Sequence, residues 1–236
     1  MNESRKTTRN RIAIIIPVKS HDPKRRLSSL FDRRQRRQLQ LAMLEDTLQA
    51  VARAKRIKDA FIISSDPDIL KFAGRFGAGG IEEDSDRGVN EAVESAIAEL
   101  EAYAGWLVMP ADLPMIKASD IKTVLELHRM GSSVVISPSE DHGGTNLLLM
   151  MKSGTIPLHY DDDSFNKHVS EATERRVPFS VYYSESVAFD VDNAMDVHRY
   201  FKFGKRNSTM TFLARTMDRT QKVANGLRKP DDTTLR

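Results

Sequence analysis

Short hydrophobic runs alternate along this chain with longer amphipathic stretches, and that rhythm predicts the fold. Ile12 to Val18, IAIIIPV, is a nearly continuous β-branched run and reads as a central parallel strand that Pro17 brings to its end. Leu41, Leu44, Leu48 and Val51 recur at helical spacing within residues 33–54, so this segment predicts an amphipathic helix with its Arg-rich start at the surface. AFIISSD, Ala60 to Asp66, is a second strand, a short helix follows from about Pro67, and GAGG at Gly77 to Gly80 marks a turn. IEEDSDRGVNEAVESAIAEL then supplies a short strand, a polar loop and a helix with Ala92, Val93, Ala96, Ile97 and Leu100 inward.

The stretch with the greatest weight is WLVMPADLPMI, Trp106 to Ile116. Its apolar run suits a strand buried on both faces, while Pro110 and Pro114 forbid helix and force an extended turn around Asp112. Residues 118–129 predict a helix, SVVISP (Ser133 to Pro138) a strand, and Leu147 to Met151 another. A helix carrying His168 follows, then a strand around Phe179 to Tyr182 and the extended segment VAFDVDNAMDV before a last helix. Such a β-α series predicts an α/β, single-domain, three-layer doubly wound sheet, mixed but mainly parallel. The 236 residues suit one domain, placed at 12–204, with basic extensions at 1–11 and 205–236, the second in part ordered.

Charge refines this division. The overall +3 is unevenly placed: residues 1–11 hold four basic and one acidic side chain, and residues 205–236 hold eight and three, which leaves the body near −5. An acidic body argues against a nucleic-acid-binding face spread over the fold. The extensions, poor in periodic apolar residues, read as solvated and at most touch nucleic acid nonspecifically. The absence of cysteine excludes disulfides, thiolate metal sites and thiol catalysis, and fits a reducing cytoplasm. No apolar run reaches the roughly 18 residues of a membrane helix, and the basic start is neither signal peptide nor anchor.

Candidate chemistry sits in the loops. Asp112, at the carboxyl end of a buried strand, suits a Mg²⁺ that accompanies a phosphate, although capping of the next helix is the alternative. Lys19, Lys24, Arg25 and Arg26 follow the first strand, where a βα loop meets a phosphorylated ligand. That loop lacks the glycines of a P-loop, so charged side chains must do the work, unless it is only a solvated cationic loop. Gly88 and Asn90 at a helix start suit a purine ring, or a simple cap by Asn90. Gly143 and Gly144 permit close backbone approach beside Thr145 and Asn146, or a plain hairpin turn. His168 shares a helical face with Phe165 and Ala172, so packing competes with a role as ligand or base. Asp190 and Asp192 alternate onto one side of an extended segment and need a cation between them, unless Asp192 caps the next helix.

Taken in order, IPVK with a nearby KRRL, GVNEAV, MPADLP, GGTNLLLM, DSFNKH and FDVDNAMDV resemble the 2-phospho-L-lactate guanylyltransferase family of deazaflavin coenzyme (F-420) biosynthesis, from Ile12 to about Gly204. The resemblance implies a nucleotide-diphospho-sugar transferase-like fold and the joining of GTP to a phosphorylated three-carbon acid with release of pyrophosphate. It implies Asp112, Asp190 and Asp192 as holders of Mg²⁺, with Mn²⁺ as a substitute, and Lys19, Lys24 and Arg26 as contacts of the triphosphate. Pro17, Val18, Lys19, Gly88, Asn90 and Glu91 would line the nucleotide, and Gly144, Thr145, Asn146 and Ser164 the acceptor. It also implies a homodimer, to which the apolar Val197, Tyr200, Phe201, Phe203, Met210, Phe212 and Leu213 could contribute, or else cover the sheet edge. The family usually places glycine just before the serine of its SF-x-x-H element, where this chain has Asp161, Asp162 and Asp163. Phosphoenolpyruvate, 2-phospholactate and 3-phosphoglycerate all remain as acceptors, and a non-catalytic nucleotide-binding regulator remains as the alternative to an enzyme.

Overall fold

The structure is a computed structural model that describes the backbone of residues 11–226 and the side chains of residues 11–217. The extensions at 1–10 and 227–236 lie outside the described residues. In order, the elements are β1 (Ile12–Pro17), α1 (Arg33–Arg53), β2 (Ala60–Ser64), α2 (Pro67–Gly74), β3 (Gly79–Glu82), α3 (Val89–Glu99), β4 (Gly105–Val108) and α4 (Ala118–Arg129). There follow β5 (Val134–Pro138), β6 (Thr145–Met151), α5 (Ser164–Glu174), β7 (Phe179–Val181), α6 (Glu185–Ala188), α7 (Ala194–Phe203) and α8 (Ser208–Gly226).

The strands form one seven-stranded sheet in the order β3-β2-β1-β4-β6-β5-β7. Every pairing is parallel except those of β6, which runs antiparallel to both β4 and β5, so the sheet is mixed and mainly parallel. Alternate strand residues feed opposite faces. Ile12, Ile14, Ile16, Leu107, Val135 and Leu149 pack under α1, α2 and α4. Ala13, Ile15, Ile63, Trp106 and Val108 meet α3, while Val134, Ile136 and Leu148 meet α5. Each fully buried Ile or Leu of this kind contributes about 1.5–3 kcal/mol by leaving water.

The structure corrects the sequence reading at three places. The Arg-rich start of α1 is not all surface: Arg36 is buried, because it falls on the same helical face as Leu39 and Met43. Half of GAGG belongs to a strand, since Gly79 and Gly80 open β3, and a Cβ on Gly79 would meet the Phe61 ring at 2.6 Å. The region after residue 205 is no solvated extension in its described part. It folds as α8, whose Leu213 joins Leu39, Met43, Val197 and Tyr200 in a cluster on the outer side of α1. Buried Asp46 of α1 caps α8 from outside, accepting from the Ser208 and Thr209 amides at 2.9 Å each. The apolar residues suspected of forming a dimer surface divide accordingly: Val197, Tyr200 and Leu213 are core, while Phe201 and Phe203 stay exposed. Among the described residues no helix is long and apolar enough to cross a membrane.

Candidate active site

The sheet order reverses at β1: β2 and β3 lie to one side of it, β4 to the other. The loops leaving β1 and β4 therefore diverge at their carboxyl ends, which is where an open α/β sheet makes its ligand crevice. Lys24 lies in the loop after β1 and Asp112 in the loop after β4. They meet across that crevice, with Lys24 Nζ donating to Asp112 Oδ2 at 2.5 Å and to Asp192 Oδ1 at 2.5 Å.

Each partner of this cluster is placed by its neighbours. Lys24 holds a left-handed backbone conformation (φ +53°), a cost of about 1–2 kcal/mol for a residue with a Cβ. The turn is held regardless, because buried Arg36 donates to the Pro23 and Phe31 carbonyls at 3.1 and 3.2 Å and pairs with Asp22, while Leu27 is buried as a plug. Gln40 Nε2 donates to the Lys19 carbonyl at 2.9 Å and pins the other end of the loop. Asp112 does not cap the following helix: α4 begins at Ala118, where Asp120 accepts from the Lys117 amide. Asp192 is no cap either, since Asn193 takes that role for α7. Val191 is buried between Asp190 and Asp192, which is why the two carboxylates share the opposite side.

The electrostatics follow from crowding three carboxylates around one ammonium. Burial, reinforced by Asp112 and Asp192, pushes the Asp190 carboxyl up to about 7. Burial acts on Asp192 in the same sense, but the Lys24 ammonium, joined by Arg26 and Lys19, holds that carboxyl below its ordinary value. Burial would lower the Lys24 ammonium, yet its two carboxylate partners hold it above the usual lysine range. Arg26 approaches Asp192 at 3.7 Å with its side chain largely in solvent, and Lys19 is exposed, so both are free to turn toward an anion.

Among the described residues no three His, Asp or Glu side chains close on one another as a metal site. Asp112 and Asp192 instead close on the Lys24 ammonium, and among the described residues no ion pair reaches Asp190 beside them. Three carboxylates are the oxygen-donor chemistry that suits Mg²⁺ or Mn²⁺.

The remaining predicted site residues distribute around the same edge. Pro17 ends β1, and the Val18 amide continues the ladder by donating to Ile63 O at 2.9 Å. Gly88 precedes α3 at φ +105°, a conformation that suits glycine, and Glu91 lies exposed with Arg87 at 3.7 Å. Asn90 does not cap α3: its Oδ1 accepts from the Tyr160 amide at 2.8 Å and ties this helix to the loop before α5. Gly143 and Gly144 do form a hairpin between β5 and β6, and the Gly144 amide donates to Ser139 Oγ at 2.7 Å. A Cβ on Gly144 would meet Ser139 Oγ at 2.9 Å, so the glycine is required by the packing of the hairpin itself. Asn146 spends its amide on Val187 O and Ala188 O at 2.8 and 3.2 Å, and thereby fixes the chain just ahead of Asp190.

Ser164 begins α5 and reaches Thr145 Oγ1 at 3.3 Å. The acidic loop before it turns away. Asp161 pairs with Lys167 at 2.8 Å and Asp163 accepts from Asn166 at 2.7 Å. Asp163 holds φ +58°, the left-handed region that glycine occupies freely and Asp tolerates better than most residues. His168 is fully buried and hydrogen-bonded at both nitrogens, in direct touch with Thr145.

Sequence reading missed Arg36 and Asp120 as organisers. Asp120 collects Tyr182, Ser184 and Ser186 hydroxyls at 2.8, 3.1 and 2.7 Å and thus holds α6, the element that delivers Asp190. For Arg36 a signal existed, its spacing from Leu39 and Met43; for Asp120 none did, because its partners lie 62 to 66 residues away.

Comparison with known proteins agrees with this architecture. A putative nucleotide-diphospho-sugar transferase from Desulfovibrio desulfuricans G20 superposes with a TM-score of 0.72 at 20% identity, over 90% of this chain and 98% of that one. A Mycobacterium tuberculosis protein, Rv0371C in complex with manganese, superposes with a TM-score of 0.56 at 18% identity, over 83% and 100%. The fold is thus that of the nucleotidyltransferases, with an acidic, lysine-bearing crevice at its switch point. Within that class the chain belongs to the family described as Guanylyl transferase CofC like, whose model matches residues 12–226. Relatives include a phosphoenolpyruvate guanylyltransferase from Thermobaculum terrenum, 35% identical over 79% of this chain and 81% of its own length. Another is a 2-phospho-L-lactate guanylyltransferase from Methanocaldococcus jannaschii, 31% identical over 86% and 88%.

Proposed function

We propose that this chain transfers GMP from GTP to the phosphate of a small phosphorylated three-carbon acid, 2-phospho-L-lactate or phosphoenolpyruvate, and releases pyrophosphate as a step in making coenzyme F-420. The observation that carries the reading is the Lys24–Asp112–Asp192 cluster at the crevice between β1 and β4, in a chain of the guanylyl transferase family.

The chemistry asks for no protein nucleophile. A phosphate monoester has a second pKa of about 6, so at neutral pH the acceptor is mostly the dianion and needs no general base. Its oxygen attacks the α-phosphorus of GTP, a new P–O–P bond forms, and the bond to the β-phosphate breaks in line with it. The protein's task is to hold crowded anions in that line and offset their charge. Lys19, Lys24 and Arg26 occupy the loop at the crevice and serve the triphosphate, and Gly88, Asn90 and Glu91 face the guanine. Thr145 and Ser164 take the acceptor beside Gly144, with Asn146 anchoring the floor. Asp112, Asp190 and Asp192 would hold Mg²⁺, or Mn²⁺, which when bound supplies further positive charge at the transferred phosphoryl oxygens.

A homodimer belongs to the same reading: Met195, Phe201 and Phe203 leave α7 at 73%, 45% and 70% exposure, an apolar edge in want of cover. A monomeric mass at micromolar concentration removes that part. The main test is pyrophosphate release with GTP and Mg²⁺ against 2-phospho-L-lactate, phosphoenolpyruvate and 3-phosphoglycerate, with mass analysis of the product. One guanylylated acid is expected, and Asp112→Asn should lower its rate by about 10²–10³ with the fold intact. Absence of product with every acid, or a near-wild-type Asp112→Asn enzyme, refutes the reading.

A further inference from the structure

One hydroxyl at the acceptor end receives two hydrogen bonds, and a buried imidazole decides what it can still do. His168 of α5 is fully buried, and the His159 amide donates to its Nε2 at 3.0 Å. A peptide N–H can only donate, so Nε2 carries the lone pair and the ring proton resides on Nδ1. Nδ1–H therefore donates to Thr145 Oγ1, 2.9 Å away. Ser164 Oγ donates to the same oxygen at 3.3 Å. A hydroxyl oxygen has two lone pairs, and both are now engaged. The Thr145 hydrogen must then point to an acceptor other than these two, and among the described residues no protein group takes it.

The position of that free donor is informative. Thr145 opens β6, and Leu148, three residues on, pairs with Val108 at the end of β4. At roughly 3.3 Å per residue the start of β6 overhangs the ends of the parallel strands by about 10 Å, on the edge that carries Asp112. A hydroxyl that can only donate selects an anionic oxygen and rejects another donor.

We propose that His168 is a positioning residue which, through its Nδ1–H, makes Thr145 a dedicated hydrogen-bond donor to an anionic oxygen of the acceptor acid. This rests on the acceptor site proposed above. The imidazole suits the task because it stays neutral: burial lowers its pKa to about 4, and a second ring proton would face the His159 N–H. The same ring fixes the His159 peptide, so both walls of the subsite, the start of β6 and the chain leading to Asp161, bear on one side chain.

Amide substitutions separate the two bonds. In His168→Asn the amide sits near the Nδ1 position and can still donate to Thr145; in His168→Gln it sits near Nε2 and serves only His159. His168→Gln and Thr145→Val should each raise the acceptor KM about tenfold or more, the scale of one hydrogen bond to a charged group, with the GTP KM within about twofold of wild type. His168→Asn should recover most of the loss. The double variant His168→Gln/Thr145→Val should be no worse than Thr145→Val alone, because the ring acts through the hydroxyl. An unchanged acceptor KM in His168→Gln, equal loss for GTP and acceptor, or additive losses in the double variant overturn the proposal. Calorimetric titration with phosphoenolpyruvate covers the case in which wild type binds the acid without turnover. Equal weakening in His168→Gln and Thr145→Val then supports the positioning role although guanylyl transfer has failed, and unchanged affinity overturns it. If wild type neither binds nor converts any of the three acids, both ideas fall together.

Discussion

Replacing Lys24 with Met keeps most of the side-chain volume and removes the ammonium that Asp112 and Asp192 share at 2.5 Å each. Two charge-assisted hydrogen bonds at about 1.5–3 kcal/mol each set the gross loss at about 3–6 kcal/mol. Part of this returns, because the ammonium no longer has to be stripped of water and because both carboxylates keep access to solvent, at 24% and 38% exposure. A net destabilisation of about 2–3 kcal/mol remains, which for a domain of this size lowers Tm by about 4–12 °C. The assay is thermal unfolding at pH 8 in EDTA and again in Mg²⁺. In EDTA the variant should melt lower than wild type by that interval. In Mg²⁺ its Tm should rise more than that of wild type, since a divalent ion enters an open carboxylate pair in one case and must displace an ammonium in the other. A variant that melts within about 1 °C of wild type without metal, and gains no more from Mg²⁺, refutes the reasoning that this ammonium is what holds the carboxylates together.

Three further outcomes are expected. The Asp190 carboxyl, raised to about 7 from an ordinary 3.8, penalises the metal-free fold in full above pH 7, and the penalty fades as pH falls from 7 through 3.8, below which folded and unfolded chains are both protonated. Asp190→Asn should therefore melt higher than wild type at pH 8 in EDTA, by a margin that narrows steadily toward pH 4; a lower Tm at pH 8 contradicts the assignment. Asp120→Ala strands the Tyr182, Ser184 and Ser186 hydroxyls and should cost about 3 kcal/mol in denaturant unfolding. Asp46→Ala uncaps α8 and should make residues 208–217 exchange amide hydrogens faster by about tenfold, with the sheet amides unaltered; uniform exchange rates would show that the cap is idle.

Much of this molecule could be read from local pattern. The buried strands, the helix over residues 118–129 and the order of the β-α units followed from hydrophobic periodicity and proline placement, because burial on a sheet face and helical amphipathicity leave their period in the sequence. The loops that meet at the crevice were legible for a related reason: carboxylates and cations with no apolar partners stand out where strands end. Asp190 and Asp192 could be paired from their spacing alone, and buried Val191 explains that pairing. What the sequence could not supply was which distant groups meet. That Lys24 takes Asp112 and Asp192 together, 88 and 168 residues away, depends on the sheet order that brings the β1 and β4 loops into one crevice. Nor does any local period reveal that Asp46 caps a helix 162 residues later, that buried Arg36 braces the Lys24 turn, or that His168 meets Thr145. Hydrophobic patterning is a property of neighbours along the chain; buried polar contacts arise only after packing has stripped water from groups that then must find one another, and that selection belongs to the tertiary structure.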